Sequence, residues 1–421
     1  MREFNYKDRR LRCEAVLAEE LAGRFGTPLY VYSKNSIIDH CRHIENAFGD
    51  IDHLSCYAVK ANANREILRL IAQEGIGAGV GSAGELQMAL RAGFPPDKIT
   101  YSGVGKRDDE IEFALSENIL SLNVESEEEL GVISAIAKRL GVRARILLRV
   151  SFDLDAGTHP YITTGKKSNK FGVESSDAAA ILQKALTLPG IDVVGIHNHI
   201  GSQITNSEAF VAAADQARAL VQRLRSAGIP IHHLNFGGGF GVQYHDFVTH
   251  PSLPLDEEAT DSGITTVALL QAILLVLKET KCKILIEPGR SIVAHAGVLL
   301  ARVLYTKENS EKRFVIVDAG MNDLIRPSLY HSYHQVVPLR IQDAPHETVD
   351  VVGPLCESGD FIALDRKLPR VGRGDYLAVL CSGAYGYALS SNYNARPRPA
   401  EVLVDGAEVR VIRARESVDQ L

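Results

Sequence analysis

The sequence predicts an α/β protein: a (β/α)8 barrel followed by an all-β domain, which the N-terminal segment joins. Two observations predict it. From about Pro28 to Pro288, short apolar runs alternate with longer amphipathic stretches, the pattern of a parallel sheet wound with helices. After about Ser291 the chain changes to closely spaced strand-like runs, VLLARVLYTK, RFVIVDAG, ETVDVVGPL and DYLAVLCSG, with few helical stretches between them. The expected division is therefore a barrel over 28–288 and a β-sandwich or barrel formed by 1–27 with 289–421.

The candidate strands are LYVYS at Leu29, LSCYAVK at Leu54, GIGAGV at Gly75, ITYSG at Ile99, LSLNVES at Leu120, ARILLRV at Ala144, VVGIHNHIG at Val193, HHLNFGGG at His232 and KILIEPG at Lys283. Helices are expected between them, over Arg65 to Glu74, Ala83 to Ala92 and Ser207 to Ala227 among others. A strand count near eight in roughly 250 residues fits a closed barrel better than an open sheet. The polar stretch Gln243 to Ser262, with its prolines and acids, reads as a long surface loop of the barrel.

Composition narrows the function. The chain has 421 residues, is 45% hydrophobic and 23% charged, and carries a formal charge of -6, with no Lys/Arg run to suit nucleic acid or an anionic membrane. The N-terminal MREFNYKDRRLRCEAV has charges where an export signal needs an apolar run, so a cytoplasmic location is expected. The apolar stretch around Val267 to Leu277 is shorter than the roughly 20 residues of a membrane span. Cys13, Cys41, Cys56, Cys282, Cys356 and Cys381 lack paired spacing, so neither a metal site nor a disulfide framework is expected.

In a barrel, ligands bind where the carboxyl ends of the strands converge, so the polar residues that end strands carry the chemistry. Here they are Lys60, Arg149, His197, His199, the run Gly237 to Gly239, Glu287 and Arg290. A lysine ending an apolar strand, as in CYAVKAN, is expected to lie against a low-dielectric wall, where its amine is more nucleophilic and can condense with an aldehyde. The ordinary alternative is a solvated charge. The loop Gly237-Gly238-Gly239-Phe240-Gly241 offers unobstructed N–H groups that suit a phosphate, or is simply a tight turn. Glu287 and Arg290 supply a carboxylate and a guanidinium, or a surface ion pair. An aldehyde-trapping amine, a phosphate cradle and an acid for a ring nitrogen are together what pyridoxal phosphate requires.

With these residues assembled, the chain resembles the fold type III family of pyridoxal-phosphate enzymes, within it the branch that decarboxylates diaminopimelate. The resemblance runs along nearly the whole chain: CYAVKAN (Cys56 to Asn62), THPYITTG (Thr158 to Gly165), NKFG (Asn169 to Gly172), HNHIGSQ (His197 to Gln203), FGGGFG (Phe236 to Gly241), EPGRS (Glu287 to Ser291), MNDLIRPSLY (Met321 to Tyr330), GPLCESGDF (Gly353 to Phe361) and GAYGYALSSNYN (Gly383 to Asn394). It implies an alanine-racemase-like β domain and decarboxylation of meso-diaminopimelate to L-lysine. Lys60 would hold the cofactor, His199 would stack on its ring, and Glu287 would pair with the ring nitrogen. Ser202, Gly237, Gly238, Gly239 and Tyr385 would hold the phosphate side. Arg290, Arg326 and Tyr330 would grip the distal carboxylate of the substrate, Glu357 its distal amine, and Tyr385 would also line the substrate. Cys356, with Glu357, would reach a neighbouring subunit's site in a homodimer and is the expected proton donor, with Lys60 as its competitor.

The chain departs from the family pattern at Gly79, where an acid is usual, and at Gly81, where a larger apolar residue is usual. The rival readings are a decarboxylase of the same fold acting on ornithine, arginine or a carboxylated polyamine, and a non-catalytic relative that binds the cofactor. The distal cation of the first set of substrates would be repelled by Arg326. The non-catalytic reading expects loss of the lysine, the ring acid or the cysteine, all of which are present.

Overall fold

The computed structural model describes residues 3–154, 159, 164, 169–255 and 265–421. The motif THPYITTG falls largely outside them. The chain forms two compact units. One comprises Cys41–Val242 with Gly263–Ser291; the other comprises the chain up to His40, the segment Gln243–Ser262 and Ile292–Leu421.

The first unit is a closed barrel of eight parallel strands among the described residues: His53–Ala58, Gly77–Val80, Ile99–Tyr101, Ser121–Val124, Ala144–Ser151, Ile191–His197, His233–Asn235 and Lys283–Ile286. Each pairs with the next in sequence, and Lys283–Ile286 closes on His53–Ala58 through the register Leu285 to Leu54. The strands are short and almost wholly buried because barrel interior and surrounding helices cover both faces, which is why they read as apolar runs rather than alternating ones.

Local chemistry sets the helices. Asn64, Ser82, Ser126, Asn206 and Thr265 each cap a helix start by accepting an N–H of its first turn. Gly93 and Gly141 end two of these helices in the left-handed conformation. The apolar stretch noted above is the barrel helix Thr266–Leu277, which buries Leu269, Leu270, Ile273, Leu274 and Leu277 against its neighbours. No helix among the described residues is long and apolar enough to cross a membrane.

The second unit is built on a nine-stranded mixed sheet. It also holds a three-stranded antiparallel meander, Phe4–Lys7, Arg10–Cys13 and Val16–Leu17, and the helices Ala18–Phe25 and Arg326–Tyr330, so it is not purely β.

Two expectations about the boundary are corrected. The strand Leu29–Ser33 is not part of the barrel: it lies in the mixed sheet, antiparallel to Gly297–Glu308 and parallel to Ala400–Asp405. All five of its residues are buried, so its apolar run carried no mark of which sheet it joins. The segment from Gln243 belongs to the second unit rather than to the barrel. The Gln335 amide grips its backbone at Val248, accepting the N–H at 2.9 Å and donating to the carbonyl at 2.8 Å. Tyr244, His245, Phe247 and Val248 are buried there despite the polar composition around them.

At Gly195 the neighbouring barrel strand leaves no room for a side chain. The register of Ile191–His197 against Ala144–Ser151 shifts between Val193 and Gly195, and a Cβ on Gly195 would lie 1.9 Å from the His233 carbonyl oxygen. That contact is with backbone and cannot be relieved by a rotamer change. Gly195→Ala is expected to cost about 3 kcal/mol of stability, read as a lower urea midpoint; an unchanged midpoint would show that the strands can part without cost.

Candidate active site

The barrel unit gathers its polar strand ends at one mouth. Lys60 sits in the turn Val59–Ala61 that ends His53–Ala58, and that turn packs on Pro288 and Gly289, with Ala58 N–H donating to the Pro288 carbonyl at 2.9 Å. Lys60 itself is exposed, which corrects the expectation of an apolar wall. Its own charge reaches Glu85 and Glu287, favouring their ionised form, and His197 and His199, disfavouring their protonation.

The glycine loop is a packing device first. A Cβ on Gly238 would lie 2.1 Å from the Glu287 carbonyl oxygen, one on Gly239 2.2 Å from that of Gly201, and one on Gly237 2.5 Å from that of Asn198. Two of its N–H groups are committed within the protein. Gly237 donates to Asn235 Oδ1 at 2.9 Å and Gly238 to His199 Nδ1 at 3.2 Å, leaving Gly239 the one of the three whose N–H has no acceptor among the described residues. The expectation that the run as a whole cradles a phosphate therefore narrows to Gly239.

This packing closes a circuit around Glu287. Its N–H donates to the Gly237 carbonyl at 2.7 Å, and its Oε1 accepts from Asn235 Nδ2 at 2.8 Å. Burial raises the Glu287 carboxyl above the usual range, opposed by the Asn235 hydrogen bond and by the charges of Lys60 and Arg149. A carboxyl held this way gains from a cation placed against it. His197 Nε2 is 3.9 Å from the same oxygen, and both ring nitrogens of His197 are buried without a hydrogen-bond partner among the described residues.

His199 is fixed in one form. Burial first, then the charges of Lys60 and Arg149, push its pKa well below the ordinary value, so the ring is neutral. Because Nδ1 accepts the Gly238 N–H, its single proton lies on Nε2. The result is an uncharged flat ring suited to stacking. Ser202 accepts from Arg290 Nη2 at 3.0 Å, which ties the EPGRS and HNHIGSQ motifs together.

Four residues that the motifs did not single out complete this mouth. Asn235 orients Glu287 and the glycine loop. Arg149, expected only as a strand-end charge, forms a buried 2.7 Å ion pair with Glu125, which also accepts the Gly172 N–H at 2.9 Å. Glu85 accepts the Gly81 N–H at 2.7 Å, and burial raises its pKa against the pull of that bond and of Lys60. The Ser82-Ala83-Gly84-Glu85 spacing of a helix start was the available signal for Glu85. The departure at Gly79 also falls here: a Cβ there would stand 3.5 Å from Glu287 Cδ, so an acid at this position would face the Glu287 carboxyl. A Cβ on Gly81 would make only ordinary contacts, at 3.6 Å from Glu85 Oε2 and the Ser102 carbonyl.

The second unit holds its own cluster. Arg326 is buried at the start of Arg326–Tyr330, with its guanidinium 4.9 Å from the centre of the Tyr244 ring. Tyr330 is half-buried at the other end of that helix. Cys356 and Glu357 are exposed on the loop after His346–Val352, and Tyr393 donates a hydrogen bond to Glu357. Asp360 joins the two loops: Oδ1 accepts the Met321 N–H and Oδ2 the Leu355 N–H, both at 2.6 Å. Ser328 adds a bond to the Gly359 carbonyl. Tyr385 is half-buried with a φ of 57°, a left-handed conformation that its neighbours must hold in place.

These parts define a barrel enzyme that can bind an aldehyde cofactor on an amine, with a carboxyl for its ring nitrogen. Comparison with known proteins agrees. A family model described as "pyridoxal-dependent decarboxylase, pyridoxal binding domain" matches residues 34–294. Diaminopimelate decarboxylase of Aquifex aeolicus is 45% identical over all of this chain and 98% of its own, and that of Pseudomonas aeruginosa 46% identical over 100% and 98%. Among solved structures, diaminopimelate decarboxylase of Helicobacter pylori complexed with L-lysine superposes with a TM-score of 0.88 at 43% identity, covering 96% of this chain and 97% of that one. The M. jannaschii enzyme in co-complex with L-lysine gives 0.91 at 38%, covering 99% and 95%. The chain belongs to the diaminopimelate decarboxylase family of pyridoxal-dependent decarboxylases.

The cluster also contains Asp323, whose buried carboxyl is pushed up to about 7, chiefly by desolvation. The folded protein therefore holds a proton that the unfolded chain releases from a carboxyl near 3.8, so this stabilisation is complete at low pH and lost as pH rises through about 7. Between pH 5 and 8 the wild type should lose stability relative to Asp323→Asn, by at most about 1.4 kcal/mol per pH unit. Urea midpoints of the two proteins across that range test this, and parallel curves would contradict it.

Proposed function

We propose that this chain decarboxylates meso-diaminopimelate to L-lysine and carbon dioxide with pyridoxal phosphate, as the last step of lysine synthesis, and that it works in the cytoplasm as a homodimer. The observation that carries the reading is the circuit of Asn235, Gly237, Gly238, His199 and Glu287 at the mouth where Lys60 ends its strand. It belongs to a chain that aligns end to end with diaminopimelate decarboxylases.

The cofactor fits the residues present: an amine at Lys60, a neutral ring at His199 and a carboxyl at Glu287 that would be stabilised by a ring cation. When bound, it supplies the aldehyde that captures the substrate amine and the ring that accepts the electron pair left by the departing carboxylate. Lys60 Nζ would hold it covalently, and Glu287 would keep its nitrogen protonated. The Ser202 hydroxyl, the Gly237 to Gly239 loop through its Gly239 N–H, and Tyr385 would hold the phosphate.

Diaminopimelate has two similar amino-acid ends, so one must be fixed while the other reacts. Arg290, Arg326 and Tyr330 would hold the distal carboxylate, Glu357 the distal amine, and Tyr385 would line the substrate. An arginine suits a carboxylate through directional paired bonds that a lysine lacks. The Cys356 thiol of the neighbouring copy would deliver its proton to the carbon that has lost carbon dioxide, with Glu357 beside it, giving two composite sites per dimer. Two exposed side chains on one loop, Cys356 and Glu357, support that arrangement.

The test is product analysis with meso-diaminopimelate, ornithine and arginine. Lysine should form from the first alone, Lys60→Ala should abolish turnover, and Cys356→Ala should lower kcat by about 100-fold or more with little change in KM. Turnover of ornithine without diaminopimelate would overturn the substrate and leave the cofactor standing.

A further inference from the structure

Arg326 does not stand alone in the second unit. His334, eight positions along, is fully buried, and its two ring nitrogens face partners of opposite kind. Nδ1 lies 2.8 Å from the Leu380 carbonyl oxygen, which can only accept, so the proton of the ring is on Nδ1. Nε2 lies 2.8 Å from Arg326 Nη1, which can only donate, so Nε2 presents its lone pair. One tautomer satisfies both contacts, and it is neutral. The relay runs in a single direction, from the Arg326 guanidinium through the imidazole to a main-chain carbonyl.

The relay is anchored at its far end. Leu380 follows the strand Tyr376–Val379, and its N–H donates to the Gln335 carbonyl at 2.9 Å. Gln335 is the residue that grips Val248. The Tyr244 ring meets His334 edge-on, with centroids 5.2 Å apart at 78°, and also underlies the guanidinium. Ser332 accepts from Nη2 at 3.3 Å. A planar guanidinium with one corner on His334, another toward Ser332 and a face on Tyr244 has its orientation set in all three directions.

We propose that His334 is a positioning residue that aims Arg326 at the distal carboxylate of the substrate, acting as an obligate neutral acceptor. The proposal rests on the assignment of Arg326 made above. An arginine must lie in the plane of a carboxylate to bind it through two bonds, so fixing the plane beforehand decides how strongly the carboxylate-bearing end is held.

The experiment compares inhibition by L-lysine with inhibition by 1,5-diaminopentane, which is L-lysine without its carboxylate. Their ratio reads the carboxylate contact and cancels general damage to the site. The variants are His334→Leu, His334→Gln, His334→Asn and Arg326→Ala in the full-length holoenzyme, with KM and kcat for meso-diaminopimelate measured beside them. Wild type should prefer L-lysine, and Arg326→Ala should lose most of that preference. His334→Leu should reduce it by about tenfold, with diamine inhibition unchanged and KM rising more than kcat falls. Gln places an amide oxygen where Nε2 stands and should recover much of the preference; Asn reaches only the Nδ1 position and should not. Equal weakening of both inhibitors in His334→Leu, or Gln no better than Leu, would reduce His334 to packing. If Arg326→Ala keeps the full preference, the assignment of Arg326 fails and the proposal falls with it. If Arg326→Ala loses the preference while His334→Leu keeps it, the proposal alone is overturned.

Discussion

The site in the barrel depends on the close packing of Gly237, Gly238 and Gly239 against the strand ends at Asn198, Gly201 and Glu287. Side chains there would need to occupy space that main-chain carbonyls already fill. Because the loop lies so close, its N–H groups reach Asn235 and His199, and the same contact brings the Gly237 carbonyl onto the Glu287 N–H. One steric requirement thus fixes the position of an acid, the tautomer of a histidine and the orientation of the amide that partners the acid. Preorganised polar groups of this kind need not rearrange as charge develops.

The two units solve one problem by the same means. Each holds its critical cationic or acidic side chain through a neutral group that accepts on one side and donates on the other. Asn235 does this for Glu287, accepting from Gly237 and donating to the carboxyl. His334 does it for Arg326. A charged intermediary could not serve either role without leaving a donor facing a donor or an acceptor facing an acceptor, which is costly where water is excluded.

Much of this was legible in the sequence, because barrels place their chemistry at strand ends and strand ends are marked by the switch from apolar to polar. Eight of the nine apolar runs are barrel strands, and Lys60, His199, the glycine run, and Glu287 with Arg290 follow four of the strands that form the mouth. The ninth, LYVYS, was misplaced because a strand buried on both faces looks the same in either sheet. The stretch from Gln243 was misplaced because its composition is polar, while its placement is set by distant side chains, among them Gln335 on the Val248 backbone, His295 on the Gln243 carbonyl and the rings packed on Tyr244, His245 and Phe247. Asn235 and Glu125 were not legible as site residues, since their roles arise from partners far along the chain, and Glu85 was marked only as part of a helix start. The glycine run was read for its donors, whereas its first two donors serve the protein itself.

The central claim is that this mouth holds a B6 aldehyde on one particular amine. Borohydride treatment of the cofactor-loaded protein, followed by peptide mass spectrometry, tests it most directly. The account predicts a reduced, phosphorylated pyridoxyl adduct on the peptide that contains Lys60. An adduct on a different lysine, with the peptide around position 60 unmodified, would contradict it.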